Sequence, residues 1–152
     1  MISSLLIANR GEIACRIMRT CRALGIRNVA VYSDADAQAK HVREADEAVW
    51  IGASAATESY LDGARLIEAA KQAGVEAIHP GYGFLSENAG FDRAVIDAGL
   101  IWVGPKPDTI ESMGLKDRAK AIAEEAGVPV LPGYRGEAQE AKSLAKEAER
   151  IG

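Results

Sequence analysis

The chain reads as an α/β protein: a doubly wound, open parallel sheet of about five strands, followed by C-terminal helices. Three observations predict this. Short, mostly apolar runs recur at Leu5 to Ala8, Asn28 to Tyr32, Val49 to Gly52, Val75 to His79 and Leu100 to Gly104. Amphipathic helical segments lie between most of them, and after Gly104-Pro105 the pattern changes from alternating to helical. Continuous apolar runs mark strands buried on both faces, and strands alternating with helices are joined by crossovers that make them parallel.

Leu5-Leu6-Ile7-Ala8 is the first strand, and Asn9-Arg10-Gly11 the turn that ends it. From Glu12 to Leu24, Ile13, Ala14, Ile17, Met18, Cys21 and Leu24 recur at helical spacing, and Gly25 is the stop signal. Asn28 to Tyr32 is the second strand. Ala35 to Ala48 is polar and reads as a loop with one helical turn near Lys40 to Ala45. Val49 to Gly52 is the third strand. Ser59 or Thr57 is placed to cap a helix through Leu61, Ala64, Ile67 and Ala70, ending at Gly74. Val75 to His79 is the fourth strand and Leu100 to Gly104 the fifth. Between them, Ser86 and Glu87 open a helix carrying Phe91, Ala94, Val95 and Ala98. Short helices follow at Pro107 to Met113 and Lys116 to Ala126. Val128 to Tyr134, with two prolines and a glycine, is an extended connector or an edge, and Glu137 to Ile151 is a last amphipathic helix.

At 152 residues the chain suits one ordinary core. Its 48% hydrophobic and 26% charged residues are those of a globular protein. No apolar run approaches the ~18 residues of a membrane span, and Met1 to Ser4 lacks a signal-peptide shape, so the expected location is the cytoplasm or an equivalent matrix, with no membrane partner. A net charge of −4 and 5% aromatics argue against a nucleic-acid surface. Cys15 and Cys21 point in different directions from one helix and should be free thiols. His41 and His79 lack the companion ligands of a metal site, so none is expected. On a helical wheel Arg16, Arg19 and Arg22 oppose the core stripe, with Cys15 among them: a partner surface or a solvated face.

His79-Pro80-Gly81-Tyr82-Gly83-Phe84-Leu85-Ser86-Glu87-Asn88 is the stretch that core packing explains least. It joins a strand to a helix, and in parallel sheets such loops lie at the carboxyl ends of strands, where ligands bind. Glycines on both sides of Tyr82 let backbone approach a ligand; the alternative is a tight turn with Tyr82 as a lid on the core. The first turn is no dinucleotide site, because Asn9 to Ala14 holds one glycine where the pyrophosphate fingerprint needs three, despite Asp34 and Asp36 downstream. Lys116 is a charge near a helix start, where the dipole disfavours a cation; an ordinary surface charge and a functional one are both open.

Ile7 to Ala14, Ala77 to Asn88 and Gly104-Pro105 together resemble the N-terminal domain of biotin carboxylases, in register along essentially the whole chain. Lys40-His41, Ala45-Asp46-Glu47, Ser59-Tyr60-Leu61 and Gly127-Val128-Pro129 match as well. The resemblance implies a Rossmann-like domain over residues 1–113, preceding an ATP-grasp fold, with 114–152 a helical linker toward an ATP-grasp central domain. It implies an enzyme that uses ATP and Mg2+ (or Mn2+) to activate bicarbonate and carboxylates biotin, the first half-reaction of an acyl-CoA carboxylase. This part alone is expected to be inactive and to hold no cofactor tightly. Lys116 matches an ATP-phosphate contact, Tyr82 and Gly83 the wall facing biotin, Glu87 a group near its reacting end, and Arg16 and Arg19 a homodimer interface. Implied partners are the ATP-grasp and C-terminal domains, a biotin carboxyl carrier domain and a carboxyltransferase subunit.

Two positions depart from the pattern. Gly114-Leu115-Lys116-Asp117 stands where the family often has Gly-Asp-Lys and looks more like methylcrotonyl- or geranyl-CoA carboxylase subunits. Ala23 replaces a commonly charged residue of the dimer helix. Competing readings are a freestanding module binding a small molecule or protein at the Tyr82 crevice, and another ATP-grasp ligase, which should lack both long motifs.

Overall fold

Ser4–Ile7 (β1) is followed by Gly11–Ala23 (α1), Arg27–Ser33 (β2), the short helix Lys40–Glu44 (α2) and Glu47–Gly52 (β3). Gly63–Gln72 (α3), Ala77–His79 (β4), Ala89–Asp97 (α4) and Ile101–Trp102 (β5) complete the alternation. All strands pair in parallel in the order β3-β2-β1-β4-β5, the doubly wound sheet that the apolar runs predict. The computed structural model describes residues 2–152, in two units: one ending at Ile110 and one spanning Glu111–Gly152.

Period-2 alternation sorts β1 between two cores. Leu6 and the following Ala8 face Val29, Val31 and Ile78 of neighbouring strands, with Leu66 and Val95 from the helices on that side. Leu5 and Ile7 face Ile13, Ile17 and Met18 of α1. Leu6, Ile7, Met18, Val29 and Ile78 are fully buried, and each such side chain contributes about 1.5–3 kcal/mol of transfer free energy.

Local chemistry moves several boundaries. Leu24 is 58% exposed rather than part of the core stripe. α1 stops at Ala23, the chain reverses at Gly25 (φ 69°), and the Ile26 amide donates to the Cys21 carbonyl at 2.8 Å. Ile26, past the turn, is then buried in its place, the hydrophobic contact that accompanies a helix C-cap. Neither Ser59 nor Thr57 caps α3: Asp62 Oδ1 accepts from the Arg65 amide at 3.1 Å, while Ser59 Oγ donates back to Ala55. α4 begins at Ala89, not at Ser86, because Asn88 Oδ1 caps the Phe91 amide at 2.9 Å. Cys15 is buried rather than set in the basic face, since α2 packs against α1, where Arg22 donates to the Glu44 carbonyl. Both cysteines are free, and burial raises their thiols above the ordinary range.

The second unit holds the C-terminal half of Pro107–Gly114 (α5), with Lys116–Glu125 (α6) and Ala141–Ile151 (α7). α7 is shorter than its amphipathic pattern, because Gln139 Nε2 donates to the Gly136 carbonyl and holds the preceding residues in a turn. Residues 128–134 form no strand, as two prolines remove the donors an edge would need. Neither α6 nor α7 has a buried residue.

Asp92 is an exception to the rule that buried polar groups are paired. It is fully buried on α4, and neither carboxylate oxygen has a hydrogen-bond partner. Burial raises its pKa, with Arg93 opposing weakly. The folded pKa lies above the unfolded one, so the ionised group destabilises the fold at neutral pH and the penalty shrinks as pH falls toward the unfolded carboxylate value. Asp92→Ala is expected to raise stability at pH 7 by about 1–2 kcal/mol, the desolvation of an unpaired carboxylate less its favourable place in the first helical turn. Denaturant unfolding at several pH values checks this: the gain should narrow toward pH ~4, and a loss at pH 7 would refute it.

Candidate functional site

In this strand order the chain winds outward from β1 through β2 to β3, then returns to β4 on the other side of β1. The switch point lies between β1 and β4, where the loops leaving the two strands diverge and open a crevice. The Asn9–Gly11 turn and the 80–88 loop both start there.

Asn9 joins the two loops. It is 3% exposed, and its Nδ2 donates to the carbonyls of Pro80 and Tyr82, both at 2.8 Å, while Oδ1 accepts from the Arg10 amide at 2.9 Å. Such reach requires the second loop to pass close by, and Gly81 makes that possible. Gly81 sits at φ 70°, and a Cβ there would lie 2.8 Å from Asn9 Nδ2. His79 Nδ1 accepts from the Gly81 amide at 3.0 Å, and burial lowers its pKa, keeping the ring neutral and able to accept. His41, fully buried, holds the first turn from below: Nε2 lies 3.2 Å from the Val31 carbonyl and Nδ1 accepts from Gly11 N–H at 3.4 Å. Burial lowers its pKa also. Both histidines therefore hold backbone, and among the described residues no three His, Cys, Asp or Glu side chains gather as a metal site.

Tyr82 projects outward, 62% exposed, between Gly81 and Gly83 at φ 64°. It is not a lid on the core. The inward aromatic is Phe84, a non-glycine residue at φ 45°, a conformation that costs about 1–3 kcal/mol and persists only where its surroundings enforce it. Phe84 stacks on Tyr60 with centroids 5.1 Å apart and planes 6° from parallel. Tyr60 is 2% exposed, donates its hydroxyl to Asp36 Oδ2 at 2.6 Å and accepts from the Ser33 amide. Burial, then the bond to Asp36, pushes its hydroxyl up to about 12. The Arg10 guanidinium lies 5.7 Å from the Tyr60 ring centre, 5.9 Å from that of Phe84 and 3.5 Å from Asp36 Oδ1. Asp36 is thereby occupied by protein groups, and Asp34 by the Trp50 indole at 2.8 Å.

Of the residues singled out from sequence, Tyr82, Gly83 and Glu87 share this loop, and all three are exposed. Arg16 and Arg19 are exposed on α1, with Arg16 lining an open, mainly apolar groove of about 510 Å³ beside Ile2, Ile17, Leu24 and Val103. Lys116 is exposed at the first residue of α6, in the second unit. Sequence reasoning assigned no role to Phe84, Tyr60, Asp36 or His41. Tyr60 and Asp36 fall in irregular segments without periodicity, and the one usable signal was their place in or beside the matched Lys40-His41 and Ser59-Tyr60-Leu61 segments. Chemically the site offers an aromatic surface, left-handed backbone and a cation; no nucleophile-base pair is assembled on it.

Residues 1–110 match the family described as biotin carboxylase, N-terminal domain. The chain is 54% identical over 151 residues to the methylcrotonoyl-CoA carboxylase subunit alpha, mitochondrial, of Arabidopsis thaliana, covering 99% of this chain and 21% of that protein. It is 57% identical over 133 residues to a biotin carboxylase of Halalkalibacterium halodurans, covering 88% and 29%. The biotin carboxylase domain dimer of the Hydrogenobacter thermophilus 2-oxoglutarate carboxylase, solved with MgADP, ADP and bicarbonate, superposes with a TM-score of 0.90 at 43% identity, over 100% of this chain and 33% of that one. The chain thus spans between about a fifth and a third of the length of these relatives.

Proposed function

The chain belongs to the biotin carboxylase N-terminal domain family, and on that premise we propose that it is the first domain of a biotin carboxylase, which uses MgATP and bicarbonate to carboxylate biotin for an acyl-CoA carboxylase. The observation that carries the reading is the convergence of the two family motifs at the β1/β4 switch point, joined by Asn9. The module reading is not supported, because the relatives matched over nearly the whole chain are larger carboxylases. Identities of 54% and 57% to a methylcrotonoyl-CoA carboxylase subunit and a biotin carboxylase speak for the family and do not rank acyl-CoA types.

In this proposal Tyr82 and Gly83 form the wall facing biotin, and Glu87 lies near its reacting end. The exposure of Tyr82 and the open space beside Gly83 support this. Lys116 contacts ATP phosphate as a point charge; at a helix N-terminus the cation and the free amides together favour an anion. One cation is a small part of a nucleotide site, so the remaining contacts to ATP and Mg2+ are assigned to the ATP-grasp and C-terminal domains of the full enzyme, with residues 114–152 leading toward them. Arg16 and Arg19 are assigned to a homodimer interface, as a dimer is seen in the 2-oxoglutarate carboxylase relative. The carboxyl carrier domain and the carboxyltransferase subunit are the other proposed partners. No helix of the described residues is long and apolar enough to cross a membrane, and the proposed location is the cytoplasm or an equivalent matrix.

Bicarbonate-dependent ATP hydrolysis with free biotin tests this, run on the 152-residue chain and on a chain extended through the rest of the enzyme. Turnover is expected only in the extended chain, with no MgATP binding by calorimetry in the short one. Micromolar binding by the short chain would overturn the division of the site, and an inactive, folded extended chain the assignment itself.

A further inference from the structure

We propose that Arg10 is a positioning residue that sets the geometry of the Tyr82-Gly83 wall through Phe84. The inference rests on the biotin-facing reading of that loop for its functional meaning, but its physical content stands on contacts alone. Phe84 adopts φ 45° without being glycine, so something must hold it. On one face it has the Tyr60 ring, itself fixed by bonds to Asp36 and Ser33. Arg10 lies against both rings and pairs with Asp36, which also accepts from Ser33 Oγ at 3.2 Å. A flat guanidinium stacks on aromatic faces while its fork addresses a carboxylate; a lysine ammonium is a point charge with no plane to stack. Arg10, in the loop after β1, therefore touches the loop after β2 through Asp36, the loop after β3 through Tyr60 and the loop after β4 through Phe84. Its side chain is 52% exposed, so replacing it need not disturb the cores. The contacts run in one direction toward the ligand crevice: Asp36 fixes Arg10 and Tyr60, these fix Phe84, and Phe84 sits two residues from Tyr82.

Hydrogen exchange by NMR on the 152-residue chain tests the proposal with Arg10→Met, which keeps much of the stem but removes the charged fork, and Arg10→Lys. The reporters are the amides of Ser86, which donates to the Gly83 carbonyl, and Gly81, which donates to His79. The reference is Val29 and Ala30 in β2. Arg10→Met is expected to speed exchange at the loop amides about tenfold with β2 unchanged, as for local opening, and Arg10→Lys to fall between it and the unaltered chain. Unchanged loop exchange, or a rise shared equally by β2, would overturn the proposal. The biotin reading is decided separately: millimolar free biotin should shift the Tyr82 and Gly83 amide resonances of the unaltered chain, and their constancy would remove that reading while leaving the positioning role to the exchange data.

Discussion

Gly81→Ala is expected to destabilise the first unit by about 2–5 kcal/mol. Two effects add. A Cβ at φ 70° carries the left-handed penalty of about 1–2 kcal/mol, and it would sit 2.8 Å from Asn9 Nδ2 and 3.0 Å from Asn9 Cβ. Asn9 is buried and fixed by three hydrogen bonds, so it cannot swing aside without orphaning a carbonyl, a further ~1–3 kcal/mol. Thermal unfolding should show a drop of roughly 5–15 °C. Gly83→Ala separates the two causes: it shares the left-handed φ but meets nothing within 4 Å, so its loss should be about 1–2 kcal/mol. Equal losses for the two variants would mean that the close approach to Asn9 contributes nothing.

Asn9→Asp is expected to be worse, about 3–5 kcal/mol at pH 7, although it changes almost no volume. The amide nitrogen that donates to the Pro80 and Tyr82 carbonyls becomes a carboxylate oxygen facing two acceptors, a buried charge without a partner. The signature is its pH dependence. Burial among acceptors raises the folded pKa of the new carboxyl above its unfolded value of ~3.9, so protons bind the folded state more tightly. The loss is therefore complete above the folded pKa and shrinks as pH falls through it, when the neutral acid can donate to one carbonyl. Urea unfolding of both proteins across the acid range measures this. A pH-independent difference would show that Asn9 does not face the two carbonyls as a donor.

These two variants act on a contact between residues more than seventy positions apart, and that distance marks how far the sequence could be read. The strands were legible as short apolar runs between turn signals; those of β1, β2 and β4 record burial on both faces, whereas the edge strands β3 and β5 leave Trp50 and Ile101 about half exposed. The turns at Gly25 and Gly81 were legible as glycines. The candidate loop stood out because its glycines flank an aromatic, and the family motifs named both of its ends. The identity of the inward aromatic was not legible: Tyr82 and Phe84 are both two-faced candidates in the sequence, and the backbone turn at Gly83 decides which points to Tyr60.

The sequence by itself determined the alternation of strand and helix, the parallel sheet, the free thiols and the family, because each is written in periodicity, spacing or a contiguous motif. Only the tertiary structure decided that Cys15 is covered by α2, that Leu24 yields its place to Ile26, and that Asn9, Arg10, Asp36, Tyr60 and Phe84 form one assembly. The reason is physical. A helical wheel records the face a helix turns to its own sheet, not the second helix that packs on its flank. Likewise, residues scattered over four loops share a site only once strand order sets β1 beside β4.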